Sequence, residues 1–390
     1  MKKTQIYYLL IFLFISISIC FGNNNYTNEI TIKNINYSIY KNEIARVIQG
    51  NYKGNVIIPK EIKYQGKTYP VTQIGFEAFK NSTQLISVQL PESILEIGSN
   101  AFENCSNLKN IQLPLSLEKI HESAFLKCKN LNEIIIPKNI SLIEENAFSY
   151  CESLSNIIVD EKNQYFSSLN GVLYDKNYLT LIKVPENTLS YTFPNTVIKI
   201  NSDSFNNCKN LTLIEIPEKV TNIPNNAFEN CIGLTKIYLH KNIDFIGFKA
   251  FSTCFNLEEI IVDQENKYYV SIDGLLYTND KSKLIHCPAQ KSKVRIDSNT
   301  QIINSYAFYN CKNLEEIIFP ENVKFIQSPA FVLCDALTSI KIESNEPVKI
   351  YSDAFINVMS KATVWVKKET LEHYRNSNIA HIKELNLKGF

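Results

Sequence analysis

The chain has 390 residues, with 40 lysines and arginines against 39 aspartates and glutamates. A nearly neutral balance gives no overall electrostatic attraction for nucleic acid, so we predict no nucleic-acid partner. Tyrosine, phenylalanine, isoleucine and asparagine are abundant while glycine and proline are modest, which is typical of a folded β-rich protein rather than a disordered one.

Residues 1–22 have the pattern of a secretion signal peptide. Two lysines precede an apolar run, Ile6–Phe21, that is short for a membrane span and lacks stop-transfer flanks. We expect cleavage after Gly22, with lipid attachment at Cys20 as the alternative. No second apolar segment follows, so the sequence predicts a chain that is secreted or held at the cell surface, with no transmembrane segment after signal removal.

Residues 23–80 do not fit the repeat that follows them. Ile35, Tyr37 and Ile39 alternate in the manner of a strand, and the tripeptide Gln65–Lys67 between two β-like runs predicts a tight turn. The repeats described next predict a solenoid, and the end of a solenoid must cover its stacked core. We therefore interpret this segment as an N-terminal cap.

Residues 81–355 repeat one unit, written AFENCSNLKNIQLP from Ala101. Its cysteine recurs every 23 residues with two intervals of 57 residues, and Ser82 replaces the first cysteine of nine units. Leucine follows each cysteine by three positions and apolar residues follow by six and eight, so L-x-x-I-x-L predicts a strand with alternate residues inward. The segment before each cysteine has helical spacing, as in Ile97, Ala101 and Phe102, and predicts a short helix.

The two 57-residue intervals contain matching insertions. Each carries NG or DG before an apolar run, at Gly171 and Gly274, which predicts a β-hairpin. Corresponding positions lie 103 residues apart, as Cys105 and Cys208 do, which indicates a segmental duplication.

Residues 356–390 are predicted to form a C-terminal cap. The pattern favours a strand at Ala362–Val366, which includes the single tryptophan, and a short helix that starts near Thr370. We expect a closing strand near Ile382.

The pattern C-x-x-L-x-x-I-x-L-P, followed by an isoleucine and then A-F-x-x-C, resembles the BspA-like (Treponema-type) leucine-rich repeat. The resemblance covers about Tyr69–Phe355, and both flanks resemble that family's terminal segments. It implies an α/β solenoid with a parallel β-ladder and short helices, capped at both ends. Members of the family are associated with adhesion to host matrix proteins or to cells, so the resemblance implies an adhesin-like binding protein.

The repeat cysteines are the most evident chemical groups. Their spacing does not suit zinc, whose structural sites use pairs two to four residues apart. Disulfides are permitted in an exported chain, but every cysteine shares the inward face with alanine, phenylalanine and leucine. We favour a ladder of buried thiols that includes Cys287, with disulfides between neighbouring units as the alternative.

No H-E-x-x-H, G-x-S-x-G or phosphate-binding loop occurs, and the five histidines occupy unrelated repeat positions. We therefore predict no enzyme activity, no cofactor and no metal. Asp160–Glu161 and Asp263–Glu265 occupy matching places where calcium binding is an alternative, although solvated turns are favoured.

The outward face of the predicted ladder is the candidate binding surface, because packing does not fix the identity of its residues. Ile135 with Ile158, and Tyr238 with Ile261, are expected to form exposed apolar pairs of the kind that mark interaction surfaces. The alternative is that β-branched residues simply favour strands. The predicted ligand-binding residues are Gln112, Glu133, Ile135, Ile158, Leu213, Glu215, Tyr238, Glu259, Ile261 and Ile318.

These observations predict a non-catalytic, secreted or cell-surface protein that binds protein partners such as host extracellular matrix or cell-surface proteins. The alternative is a structural or glycan-binding scaffold of the cell surface without a host ligand.

Overall fold

The computed structural model describes residues 26–351, 353–355, 358, 362–376 and 386–390. The predicted signal peptide with Cys20 and the predicted closing strand near Ile382 lie outside these residues. The described chain winds into stacked coils whose strands form two parallel ladders.

The N-terminal segment contains both antiparallel and parallel strand pairs. Its strands are β1 (Tyr26–Ile32), β2 (Ile35–Tyr40), β3 (Ala45–Val47), β4 (Gly54–Ile57), β5 (Glu61–Tyr64) and β6 (Lys67–Ile74). β1 pairs with β2, and β2 with β3, both antiparallel; β3 then pairs with β6 in parallel. β5 and β6 form a hairpin whose turn residues, Gln65 and Gly66, have positive φ, which confirms the predicted tight turn.

The repeats before the first insertion contribute longer strands and two-residue strands. They are β7 (Leu85–Gln89), β8 (Glu96–Ile97), β9 (Lys119–Ile120), β10 (Glu133–Ile136), β11 (Leu142–Ile143) and β12 (Asn156–Val159). The first insertion and the repeats after it contribute β13 (Phe166–Leu169), β14 (Val172–Asp175), β15 (Thr180–Lys183), β16 (Lys199–Ile200), β17 (Asn222–Ile223), β18 (Lys236–Leu239), β19 (Phe245–Ile246) and β20 (Glu259–Val262).

The second insertion and the remaining coils complete the chain. Their elements are β21 (Tyr269–Ile272), β22 (Leu275–Thr278), β23 (Lys283–His286), β24 (Lys293–Arg295), β25 (Ile302–Ile303), β26 (Glu316–Phe319), β27 (Phe325–Ile326), β28 (Ser339–Ile342), β29 (Lys349–Ile350), β30 (Thr363–Val366), α1 (Lys368–Asn376) and β31 (Asn386–Gly389). The predicted C-terminal strand and helix are thus present, as β30 and α1.

The predicted L-x-x-I-x-L strands form what we call the main ladder, which comprises β4, β7, β10, β12, β18, β20, β24, β26, β28, β30 and β31. The pairs β4–β7, β10–β12 and β18–β20 and the run from β24 to β31 pair in parallel at a shift of one coil, so that Ile134 lies beside Ile157 and Ile317 beside Ile340. These inward residues are buried. The predicted parallel β-solenoid is therefore confirmed; the cap boundaries remain predictions.

The two-residue strands form a second ladder that we did not predict. β6, β8, β9 and β11 pair in parallel, and β15, β16, β17, β19, β23, β25, β27 and β29 occupy the equivalent places later in the chain. Ile97, expected on a helix, lies in this second ladder. Each standard coil is therefore closed by a strand on two sides.

The segments before the cysteines are turns, which corrects the predicted short helices. The Cys105 N–H donates to the Phe102 carbonyl three residues earlier (3.1 Å), but the Phe102 N–H donates to Ala124 of the next coil (2.7 Å). Asn100 and Asn104 have φ of 57° and 58°. Left-handed residues four positions apart interrupt a right-handed helix, so the backbone satisfies its donors between coils instead.

The buried core consists of aligned stacks of equivalent side chains. The rings of Phe79 and Phe102 stack with centroids 4.8 Å apart, and those of Phe102 and Phe125 with centroids 5.2 Å apart. The core falls into three clusters that meet at the insertions, around residues 172–173 and 275–276.

Each insertion forms the predicted hairpin. β13 pairs with β14 and β21 with β22, both antiparallel. The turn residues Asn170–Gly171 and Asp273–Gly274 all have positive φ, as a two-residue turn with type I′ geometry requires. The hairpin tips reach the main ladder, because the Ile157 N–H donates to the Gly171 carbonyl (2.9 Å) and the Ile260 N–H to the Gly274 carbonyl (3.0 Å).

Candidate functional site

The outward face of the main ladder places the predicted apolar pairs side by side. β10 and β12 pair in a register that sets Ile135 against Ile158, and β18 and β20 set Tyr238 against Ile261. Neighbouring strands of a sheet lie about 4.8 Å apart, so each pair forms one continuous apolar spot. All four side chains are exposed.

The other predicted residues lie on the same face with different exposure. Gln112, Glu133, Leu213 and Glu215 are exposed, whereas Glu259 and Ile318 are half-buried. Leu213 and Glu215 precede β18, and Glu215 forms an isolated parallel bridge with Tyr238.

The hairpins divide this face into three sections. The tip at Gly171 lies against β12, and the tip at Gly274 lies against β20. The structure therefore groups Gln112, Glu133, Ile135 and Ile158 in the first section. It groups Leu213, Glu215, Tyr238, Glu259 and Ile261 in the second, while Ile318 lies apart in the third.

Polar contacts orient the aromatic residue of the second section. The Tyr238 hydroxyl donates to the Asp263 carboxylate (2.7 Å), and this hydrogen bond raises the pKa of Tyr238. The pKa of Asp263 is lowered first by the backbone N–H of Glu265 and then by Tyr238. Lys236 and Glu259 form an ion pair across the same two strands. The second section thus combines an exposed, positioned aromatic ring with flanking charges.

The acidic positions weighed for calcium form turns. Asp160 accepts the backbone N–H of Lys162 and Asp263 accepts that of Glu265, each at 2.8 Å. This confirms the favoured interpretation as turns. Over the described residues, no group of three or more histidine, cysteine, aspartate or glutamate side chains is arranged to bind a metal ion.

The nine described cysteines are buried and free, which confirms the thiol ladder over disulfides. The Cys128 thiol lies 3.2 Å from the Phe102 carbonyl of the preceding coil, and five other thiols make the same contact at 3.0–3.2 Å. Burial raises the pKa of the Cys105 thiol to about 12. Such thiols stay protonated near neutral pH and are poor nucleophiles.

Sequence reasoning missed a buried polar cluster at the first insertion. Lys183 and Glu186 are buried, with the lysine Nζ 3.7 Å from the Glu186 carboxylate. The same Nζ donates to the backbone carbonyls of Asp203 (3.3 Å) and Asn206 (3.1 Å). Burial raises the pKa of Glu186, and Lys183 and then Asn207 oppose that shift. The lysine is thus fully engaged in holding the cluster together.

This cluster lies beside a cleft of about 460 Å³ between the coils that flank the insertion. Asp203 lines the cleft, and burial raises its pKa to about 6 while Lys183 opposes the shift. At the second insertion the equivalent cleft is only about 190 Å³, and the position of Lys183 is taken by the buried His286. A charged residue at an inward strand position was the sequence signal that could have located the cluster.

The two ladders, the buried thiols and the exposed outward face define a leucine-rich-repeat solenoid. The model of the BspA-type leucine-rich repeat region matches this chain in six copies, over residues 60–180, 184–273 and 281–389. The chain belongs to that family.

Solved structures of bacterial leucine-rich-repeat proteins resemble this fold. A leucine-rich cell surface protein from Faecalibacterium prausnitzii is 25% identical, with a TM-score of 0.51, over 93% of this chain and 94% of that chain. A leucine-rich-repeat protein from Eubacterium ventriosum is 21% identical, with a TM-score of 0.55, over 84% of this chain and 95% of that chain. The comparison with curated proteins found no match.

Among the described residues, no helix has the length and apolar character needed to span a membrane.

Proposed function

We propose that this chain is a non-catalytic, secreted or cell-surface protein that binds a protein partner, in an adhesin-like role, through the outward face of the main ladder. The observation that carries the proposal is the register of Ile135 with Ile158 and of Tyr238 with Ile261, four exposed side chains paired on a face that packing leaves free.

The chemistry of these residues suits a protein interface. Covering an exposed isoleucine removes apolar surface from water, which is worth about 25 cal/mol per Å² of area buried. A tyrosine whose hydroxyl is already held by Asp263 loses little rotamer entropy on binding, and tyrosine is enriched among the residues that dominate interface energies. Glu133, Glu215 and the Lys236–Glu259 pair supply the polar surroundings.

Charge substitution on the ladder face tests this proposal. We would measure binding of the exported chain to immobilised extracellular matrix proteins by surface plasmon resonance. Changing both Ile135 and Ile158 to lysine, or Tyr238 to lysine, is expected to weaken binding at least about tenfold, because each change places a charge in the buried centre of the interface.

A matched control is Leu115→Lys. Leu115 and Ile135 are both 54% exposed, but Leu115 lies in a turn outside both ladders. Binding that is lost in Leu115→Lys and kept in the ladder variants would contradict the proposed surface. Binding to an array of glycans in place of every matrix protein would favour the scaffold alternative.

A further inference from the structure

The N-terminal end of the main ladder has an unpaired strand edge. Within the described chain β4 pairs with β7 alone. The Gly54 and Ile58 N–H groups both donate toward β7, to Gln84 and Gln89. Because successive residues of a strand direct their backbone groups to opposite sides, the N–H and carbonyl groups of Asn55 and Ile57 point to the free edge.

A groove of about 940 Å³ runs along this edge, between β4, β5 and the turn that joins β1 to β2. We call it the edge groove; its lining includes Lys33, Tyr37, Lys53, Ile57, Glu61 and Lys63. Ile57 is 66% exposed, whereas Tyr37 is fully buried and its hydroxyl has no hydrogen-bond partner among the described residues. The edge groove therefore combines apolar surface with unsatisfied backbone and side-chain donors.

The charge of the edge groove is positive. Its lining contains three exposed lysines, Lys33, Lys53 and Lys63, and one acidic residue, Glu61. None of these four side chains forms an ion pair with another described residue. An occupant with carboxylates is favoured, since it would gain three unpaired cations.

The chain's own N-terminus does not fit as the occupant. Tyr26 pairs with Tyr40, at the end of β1 opposite the turn at Lys33 that lines the groove. If the signal is cleaved after Gly22, three residues precede Tyr26 and reach about 10 Å, while the seven residues of β1 extend about 20 Å.

A second copy of the chain is disfavoured by charge. At the other end of the main ladder, β31 pairs with β30 alone within the described chain, and it carries Lys388. Lys367 lies over the ring of Phe390 beside that strand, 5.1 Å from its centroid. Two basic ends repel each other.

We propose that the edge groove binds an acidic, extended peptide segment of a partner protein, which adds to β4 as a further strand of the main ladder. Main-chain hydrogen bonds to Asn55 and Ile57 supply affinity, and Lys33, Lys53 and Lys63 select acidic side chains. This site lies at the N-terminal end of the main ladder, away from the apolar pairs Ile135–Ile158 and Tyr238–Ile261, and goes beyond the function proposed above.

The test uses two fluorescent, end-blocked eight-residue peptides, one alternating glutamate with valine and one alternating lysine with valine. Fluorescence anisotropy with the exported chain is expected to show at least about tenfold tighter binding of the glutamate peptide, weakening as salt is raised. Equal binding of the two peptides, or no binding of either, would overturn the proposal.

Ile57→Pro tests strand addition. Proline removes the N–H at the free edge without removing a bond to β7, so the fold is retained while binding falls at least about tenfold. Ile57→Val keeps the N–H and is expected to bind as the original chain does. Unchanged affinity in Ile57→Pro overturns strand addition.

A charge variant keeps the test decisive if Ile57→Pro does not fold. Lys53→Glu with Lys63→Glu should abolish the preference for the glutamate peptide, whereas Lys60→Glu, an exposed lysine that does not line the groove, should preserve it. Concentration-dependent dimers that Ile57→Pro dissociates, seen by sedimentation, would identify a second copy as the occupant and overturn the proposal. The Ile135→Lys, Ile158→Lys variant should bind the peptide normally, which separates this site from the protein-binding surface proposed around those two isoleucines.

Discussion

At the residue scale, the two insertions place different side chains at equivalent buried positions. Lys183 and His286 lie 103 residues apart at equivalent inward positions, and Glu186 corresponds to Ala289 in the same way. All four are buried. In the second insertion burial lowers the pKa of His286 to about 4, so that residue is neutral at pH 7 and needs no counter-charge. In the first, two opposite charges neutralise each other.

This difference predicts that the contributions of Lys183 and Glu186 to the free energy of unfolding depend strongly on each other. Lys183→Met leaves the buried Glu186 carboxylate without its counter-charge, so the free energy of unfolding should fall by about 3–5 kcal/mol. The double variant Lys183→His, Glu186→Ala carries the residue types of the second insertion and has neither charge at pH 7. It should be at least about 2 kcal/mol more stable than Lys183→Met. Urea unfolding at pH 7 measures both.

The control is Glu186→Ala alone, which leaves Lys183 with its two backbone carbonyl partners and should cost less than Lys183→Met. A double variant that loses as much stability as Lys183→His and Glu186→Ala lose together when each is made alone would show that the two residues act independently.

At the element scale, strands and hairpins were predictable and the return segments were not. Burial on one side of a strand imposes alternation, which L-x-x-I-x-L shows in every unit, and Asn-Gly or Asp-Gly marks a turn that needs positive φ at both residues. The return segments place apolar residues at helical spacing, yet Asn100 and Asn104 are left-handed. The asparagines that precede several repeat cysteines were the available signal, because asparagine tolerates that conformation.

The hairpin tips give an element-scale prediction. Gly274 and Gly66 have φ of +80° and +78°, but a Cβ on Gly274 would lie 2.9 Å from Cβ of Glu259, whereas nothing lies within 4 Å of one on Gly66. Gly66→Ala should therefore lower the free energy of unfolding by about 1–2 kcal/mol, from backbone strain alone. Gly274→Ala should cost at least about 1 kcal/mol more, because the tip must also move away from β20.

Thermal and urea unfolding of the two variants, compared with the original chain, measure this difference. An equal loss of stability in Gly66→Ala and Gly274→Ala would show that the tip at Gly274 is not packed tightly against the main ladder.

At the scale of the whole molecule, the thiol ladder sets the response to alkaline pH. Burial raises the thiol pKa from its ordinary value near 9 to about 12 for Cys105, Cys208 and Cys254, and well above that ordinary value for Cys128. Because the folded pKa lies above the unfolded pKa, the unfolded chain releases protons first as the pH rises. The stabilisation is fully present below about pH 9 and is lost progressively between about pH 9 and pH 12.

Urea midpoints at a series of pH values should therefore hold steady up to about pH 9 and then fall. Alkylation of the thiols by iodoacetamide, counted by mass in the same samples, should appear together with unfolding. Alkylation below pH 9 in the folded chain would contradict the buried ladder.

The candidate binding face was predictable in part. The position of Ile135, Ile158, Tyr238 and Ile261 followed from counting residues after each cysteine, since outward positions are fixed by the same alternation as inward ones. Their division into sections was not predictable, because it depends on hairpin tips that contact β12 and β20 from insertions later in the sequence. The cleft beside Lys183 likewise exists only where an insertion separates two coils that would otherwise stack.

The stacking of coils also determines how the chain should yield to a pulling force. Among the described residues, each standard coil is bonded mainly to its neighbours, through two ladders and through turn-to-turn bonds such as Phe102 to Ala124, while Arg295 reaches two coils on to Glu343. A load applied to the two ends would peel coils away one at a time, each step releasing about 23 residues of slack. At the hairpins, where one core cluster gives way to the next, a longer stretch of 57 residues is released. A solenoid built in this way lengthens in steps under tension rather than failing at once.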